Sequence, residues 1–153
     1  MYQRILVAVD DSPCSQRALA AALALARDTH ALVRLLHVID DTPMYSGLDL
    51  SGDLAGELTR VLREHGTGVL ARAGQAAQAA GIPTQSVLVE RFGERLGDAV
   101  VAEAAKWNAD LIVLGTHGRR GMSRLLLGSG AEQVLRLSPL PVLIVRDPEP
   151  APD

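Results

Sequence analysis

Short apolar runs alternate along this chain with longer segments whose apolar residues recur at helical spacing. A short run rich in β-branched side chains is typical of a buried strand, whereas recurrence every three to four residues is typical of an amphipathic helix. The pattern predicts strands over Arg4–Val9, Leu32–Val38, Gln85–Glu90, Asp110–Leu114 and Pro141–Arg146. It predicts helices over Pro13–Thr29, Leu50–Ala80, Leu96–Trp107 and Gly128–Leu137.

This alternation predicts an α/β fold, a doubly wound five-stranded parallel sheet with helices on both faces. The elements fill a single domain, residues 1–147, and the proline-rich residues 148–153 are expected to form a disordered tail. Ligands of such sheets lie at the carboxyl ends of the strands, where the strand order reverses. If the first and fourth strands are neighbours, the site lies between Asp10 and Gly115.

Composition narrows the class of protein. Hydrophobic residues make up 48% of the chain and aromatic residues only 3%, so the core is aliphatic. The net charge of −3 disfavours nucleic-acid binding through bulk charge. The sequence contains no apolar run of membrane-spanning length and no signal-peptide pattern, so no membrane association is expected. Cys14 is the single cysteine, which excludes an intrachain disulfide and favours a cytoplasmic location.

Glycines after the fourth strand indicate a phosphate site. Gly115 and Gly118 allow a tight turn and a close backbone approach, and ten residues after Gly118 the pair Gly128-Ser129 opens a helix. A helix N-terminus presents unpaired N–H groups and a partial positive charge to a phosphate. Lys106 is the only lysine and follows no such loop, so a Walker-type P-loop is excluded.

Several stretches of the chain, with this glycine spacing, resemble the ATP-binding subgroup of the universal stress protein family. The resemblance covers nearly the whole chain and is carried by residues Ile5–Ser12, Leu35–Val38, Asn108–Gly118, Gly128–Ser129 and Ser138–Arg146. It implies a Rossmann-like fold similar to that of the adenine nucleotide alpha hydrolases. It also implies a homodimer formed through the last strand, Pro141–Arg146.

The resemblance implies that ATP is the ligand. Asp10 would face the adenosine, with Val38 beside the adenine through its backbone. The ribose and phosphates would be lined by Gly115, Gly118, Gly128 and Ser129, with Gly130 adjoining them. Three residues depart from the family pattern, since Gly130 stands where valine is frequent, Ala131 where many members have a hydroxyl residue, and Asp11 where glycine is common. If that hydroxyl helps to hold phosphate, this chain has one donor fewer and binds more weakly, whereas Asp11 is expected to change the turn rather than the site.

Some alternatives stay open from the residues alone. Asp10 is a favoured helix-capping residue as well as a ligand contact. Arg119 is a phosphate partner in a site without lysine, or part of a solvated loop. Mg²⁺ could accompany the phosphates, because it takes one or two carboxylates together with substrate oxygens.

Three functional hypotheses follow. The first is an ATP-binding regulatory protein of the stress response. The second is a slow ATPase, although no general base and no catalytic residue are identified in the sequence. The third is an interaction module that binds no nucleotide.

Overall fold

The computed structural model describes residues 1–39, 52–90, 93–116 and 127–146. Within these ranges the strands are β1 (Arg4–Ala8), β2 (Leu32–Ile39), β3 (Thr84–Glu90), β4 (Leu111–Gly115) and β5 (Val142–Val145). The helices are α1 (Pro13–Thr29), α2 (Gly52–Ala79), α3 (Leu96–Trp107) and α4 (Ser129–Leu137). The strands form one parallel sheet in the order β3-β2-β1-β4-β5, which confirms the predicted doubly wound α/β fold.

The two faces of the sheet bury separate aliphatic clusters. Alternate residues of a strand point to opposite faces, so Ile5 and Val7 of β1 pack with α1 and α2 while Leu6 packs with α3 and α4. The central strands are therefore apolar at nearly every position, as expected for a parallel sheet covered on both sides. The core places β1 and β4 side by side, with Val7 paired to Val113.

Capping residues set the start of the first helix. Ser12 is the N-cap, and its side chain accepts the N–H of Ser15, while Pro13 occupies the first helical position. The helix ends at His30, which adopts a left-handed conformation with φ 58°. The structure confirms the predicted bounds of α1. They were predictable because the signal that starts the helix is local, in Ser12 and Pro13.

Helix α2 runs without interruption through four interior glycines, Gly56, Gly66, Gly68 and Gly74, which lower its intrinsic helix propensity. Gly66 has a tertiary reason, since a Cβ there would lie 2.7 Å from side-chain atoms of His37 and of Leu88. The helix therefore crosses β2 and β3 closely at this point. Packing against the sheet compensates for the propensity that the glycines lose.

Side chains close the amino end of the sheet. The guanidinium groups of Arg4 and Arg34 lie 4.7 and 4.8 Å from the ring centre of Trp107, at the end of α3. Arg34 also donates to Glu103 at 2.7 Å. Asp110 accepts the backbone N–H groups of Gln3 and Arg4, so it joins the start of β4 to β1. Charge, stacking and backbone bonds thus occupy this end of the sheet.

The tail predicted for residues 148–153 lies outside the described residues, and its disorder remains a prediction. The helices within the described ranges include none that is both long and apolar enough to cross a membrane.

Candidate functional site

The carboxyl ends of β1 and β4 form the crevice at which the strand order reverses. From β1 the chain continues outward to β2 and β3, whereas β4 leads to β5 on the other side. The predicted neighbourhood of the first and fourth strands is confirmed by the pairs Ile5–Leu111, Leu6–Ile112 and Val7–Val113. Asp10 follows one of these strands and Gly115 ends the other.

Asp10 organises the turn between β1 and α1. Its Oδ1 accepts the N–H of Ser12 at 2.8 Å, and its own N–H donates to Oγ of Ser15 at 2.8 Å. Ser12, rather than Asp10, is the N-cap of α1. The carboxylate is therefore held by the turn that precedes the cap, half-buried at the end of the strand.

Adjacent residues of β2 serve the two faces of the sheet. Val38 is half-buried, pairs with Val89 and packs against the cluster under α3 and α4. His37 is buried, and its Nδ1 lies 2.8 Å from the carbonyl oxygen of Val9. Because a carbonyl only accepts, this nitrogen carries the proton. The ring therefore fixes the exit of β1 just before Asp10.

The surroundings of His37 favour its neutral form. Burial is the largest influence and lowers the pKa of His37 below its ordinary value of 6.5. The bond to Val9 opposes this shift, and nearby His65 adds to it. Asp10 and Asp11 oppose it more weakly. A buried imidazole at this position therefore resists protonation.

Gly115 is needed for packing against α1. A Cβ at this position would lie 2.9 Å from the backbone carbon of Cys14 and 3.0 Å from its sulfur. The structure thus gives this glycine a different physical reason from the one expected, since its vacant side faces the first turn of α1. Whether its backbone also approaches a ligand remains a prediction.

Cys14 and Thr116 tie the ends of three elements together. The buried thiol of Cys14 donates to the carbonyl of Val145 at 3.0 Å, and its sulfur lies 3.3 Å from Oγ1 of Thr116. The backbone N–H of Thr116 also donates to Val145. No sequence pattern singles out Thr116 as a site residue; its only signal is a hydroxyl residue directly after the glycine at a strand end.

The start of α4 is attached directly to the end of β4. The N–H of Gly128 donates to the carbonyl of Thr116 at 2.8 Å, and Gly128 is the N-cap of the helix. Glycine has no side chain that could accept the N–H groups of the first turn, which an α-helix leaves unpaired. Ser129 is exposed beside them. This arrangement suits an anion.

The structure describes one of the three remaining predicted site residues. Gly130 packs against α3, since a Cβ there would lie 2.5 Å from Cδ2 of Leu96. Gly118 and Arg119 lie outside the described residues. The structure therefore brings Asp10, Gly115 and Gly128 to one end of the sheet and gives Gly130 a packing role.

Metal ligands do not converge in the part of the chain that the structure describes. In residues 1–39, 52–90, 93–116 and 127–146, no three His, Cys, Asp or Glu side chains come together as a candidate metal site.

A family model named Universal stress protein family matches residues 1–146 of this chain. A universal stress protein of Methanocaldococcus jannaschii is 34% identical over 97% of this chain and 85% of its own length. A universal stress protein of Thermus aquaticus is also 34% identical, over 95% of this chain and its full length.

Solved structures agree with these sequence relatives. One, a protein whose biochemical function was assigned from its structure, superposes with a TM-score of 0.84 at 27% identity, over 98% of this chain and 99% of the other. A universal stress protein in complex with cAMP gives 0.68 at 28% identity, with coverage of 94% and 97%. A universal stress protein of Archaeoglobus fulgidus in complex with dAMP gives 0.67 at 25% identity, with coverage of 95% and 98%.

Proposed function

Because this chain belongs to the universal stress protein family, we propose that it binds ATP in the crevice between the carboxyl ends of β1 and β4. The observation that carries the proposal is the start of α4. Its glycine N-cap is bonded to Thr116 at the end of β4, so the N–H groups of its first turn, which have no partner within the helix, stand at the switch point of the sheet. Nucleotide phosphates are anions of the kind that such donors bind.

The proposed contacts divide the nucleotide between two regions. Asp10 and Val38, at the ends of β1 and β2, contact the adenosine. The ribose and phosphates are lined by Gly115, Gly118, Arg119, Gly128, Ser129 and Gly130. Two solved relatives in complex with cAMP and dAMP support an adenine nucleotide as the ligand class. Triphosphate is the specific proposal because the glycine and serine spacing after β4 resembles that of the ATP-binding subgroup of the family.

We place the protein in the cytoplasm as a regulatory homodimer of the stress response that holds nucleotide as a signal. The edge strand β5 is the proposed dimer contact. Three leucines on α4 and β5 expose much of their apolar surface to water: Leu135 is 47%, Leu137 43% and Leu143 38% exposed. Pairing with a second copy would bury this surface. Leu143→Asp should give a monomer in light scattering, whereas Leu54→Asp on α2 should leave the dimer intact.

Mass spectrometry of the small molecules released on denaturation tests the nucleotide directly. ATP, ADP, AMP and cAMP are then titrated with and without Mg²⁺ by calorimetry. Saturating ATP at about a thousand times its dissociation constant should raise the free energy of unfolding by about 4 kcal/mol. If no adenine nucleotide is released and ATP causes no stabilisation, the protein is an interaction module without nucleotide.

Asp10→Asn is the informative variant, because its amide oxygen can still accept the N–H of Ser12 while the charge is lost. We expect weaker ATP binding with the fold retained. Asp28→Asn, in the last turn of α1, is the matched control. Turnover of ATP that Asp10→Asn abolishes would favour the slow ATPase instead.

A further inference from the structure

Two side chains of helix α2 bind the carboxylate of Asp11. Its Oδ2 lies 3.0 Å from Nε2 of His65, and its Oδ1 accepts from Nη2 of Arg72. His65 and Arg72 are seven residues apart, so they lie on one face of the helix, two turns apart. Val69 lies between them on that face and is buried against α1 and the sheet. The contact therefore follows the line along which α2 packs.

The same turn is held from two other directions. His37 bonds the carbonyl of Val9, one residue before Asp10, and its ring lies 6.2 Å from that of His65. Asp10 bonds within the turn through Ser12 and Ser15. Residues 9–12 thus contact β2 through His37 and α1 through Ser15. Of these contacts, the one to α2 is made by Asp11 and includes its ion pair with Arg72.

We propose that Asp11 is a positioning residue, which orients the turn that carries Asp10 by its bonds to His65 and Arg72. Asp10 and Asp11 are adjacent in this turn, so holding Asp11 against α2 also limits how far Asp10 can move. For nucleotide binding this role rests on the proposed function. The tie of residues 9–12 to α2 rests on the geometry alone.

Asp11→Asn tests the role while keeping the shape of the side chain. Glu90→Gln is the matched control, because Glu90 of β3 accepts two bonds from Arg63 and so forms another carboxylate–cation link to α2, away from this turn. Amide hydrogen exchange of Asp10 and Ser12 is measured on the ligand-free protein. Exchange should be about threefold to tenfold faster in Asp11→Asn, in line with partly exposed ion pairs, and unchanged in Glu90→Gln.

Calorimetry with ATP then measures the consequence for the site. Asp11→Asn should weaken binding about threefold to tenfold, and Arg72→Gln added to it should weaken binding little further, because the two act through one contact. Equal losses in Asp11→Asn and Glu90→Gln would overturn the role, since both would then act only by loosening α2. Unchanged exchange at Asp10 and Ser12 would overturn it whether or not ATP binds. Absence of ATP binding in the unmodified protein would overturn the proposed function, and the exchange rates would still decide whether Asp11 holds the turn.

Discussion

The amino and carboxyl ends of the sheet differ in the contacts that their side chains make. At the amino end the guanidinium groups of Arg4 and Arg34 stack on Trp107, and Arg34 also bonds Glu103. At the carboxyl end side chains hold the turn after β1, as His37 bonds the carbonyl of Val9 and Arg72 bonds Asp11. The first end covers its arginines with an aromatic ring, whereas the second presents the N-terminus of α4. Stability and binding should therefore respond separately to substitutions at the two ends.

Trp107→Ala should have the largest effect. It removes a side chain that is only 5% exposed and leaves both arginines without their aromatic contact. We expect the free energy of unfolding to fall by about 3–5 kcal/mol, the usual cost of truncating a buried aromatic residue. Urea denaturation measures the loss. Affinity for ATP in the folded fraction should be unchanged, because the indole lies at the end of the sheet away from the crevice.

Trp107→Phe separates the two parts of this effect, since it keeps an aromatic face for the arginines and removes less volume. Its loss of stability should be clearly smaller than that of Trp107→Ala. A strong loss of ATP affinity in either variant would show that the two ends of the sheet are coupled and that stability and binding are not separate.

Gly115→Ala brings stability and binding together at the carboxyl end. The added Cβ would lie 2.9 Å from the backbone carbon of Cys14, so α1 must shift away from β4. We expect a loss of about 1–3 kcal/mol, as for other overpacked positions, with weaker ATP binding because the crevice widens. Denaturation and calorimetry measure the two effects.

Gly74→Ala in α2 is the control for adding a methyl group. A Cβ there meets no atom within 4 Å, and alanine is the better helix former, so this variant should be as stable as the unmodified protein or more stable. If Gly115→Ala behaved in the same way, the close approach to Cys14 would not be what requires glycine.

Local signals predicted the fold well. The bounds of α1 and α3 agree with those predicted. Ser12 and Pro13 begin α1, and α3 ends at Trp107, where the following Asn108 adopts a left-handed conformation. Strands with apolar residues on both faces left little choice but a covered parallel sheet. The neighbourhood of the first and fourth strands followed from the assumption that the chain winds outward in both directions.

The reasons behind the candidate site were harder to predict, because they depend on residues distant in sequence. Gly115 was taken as a ligand-facing glycine, yet its vacant side meets Cys14, about a hundred positions earlier. Asp11 was interpreted as a change in a turn, and its partners lie on α2. No local pattern encodes such pairings. A strand-end glycine predicts a close approach without identifying what approaches.

Ser129→Glu should separate stability from binding at one position. Ser129 is the first residue of α4, where a carboxylate interacts favourably with the helix dipole. The ligand-free protein should gain about 0.3–1 kcal/mol in the free energy of unfolding. ATP, whose phosphates would meet the same charge, should bind about tenfold or more weakly. Ser129→Gln is the uncharged control and should show neither effect in full.

The smallest expected effect is a dependence of stability on pH that comes from His37. Burial lowers the pKa of His37 below its ordinary 6.5, so below pH 6.5 the unfolded chain binds a proton that the folded chain resists. His37 therefore costs no stability above pH 6.5, and its cost grows as the pH falls toward the folded-state pKa, by at most about 1.4 kcal/mol per pH unit. His37→Asn, which keeps a donor near the carbonyl of Val9, should flatten that part of the stability profile measured by urea denaturation between pH 5 and pH 8. His30→Asn, the same change at the exposed left-handed end of α1, is the control for the substitution itself, because asparagine tolerates that conformation. Equal slopes in the two variants would mean that the carboxyl end is no more sensitive to protons than the amino end.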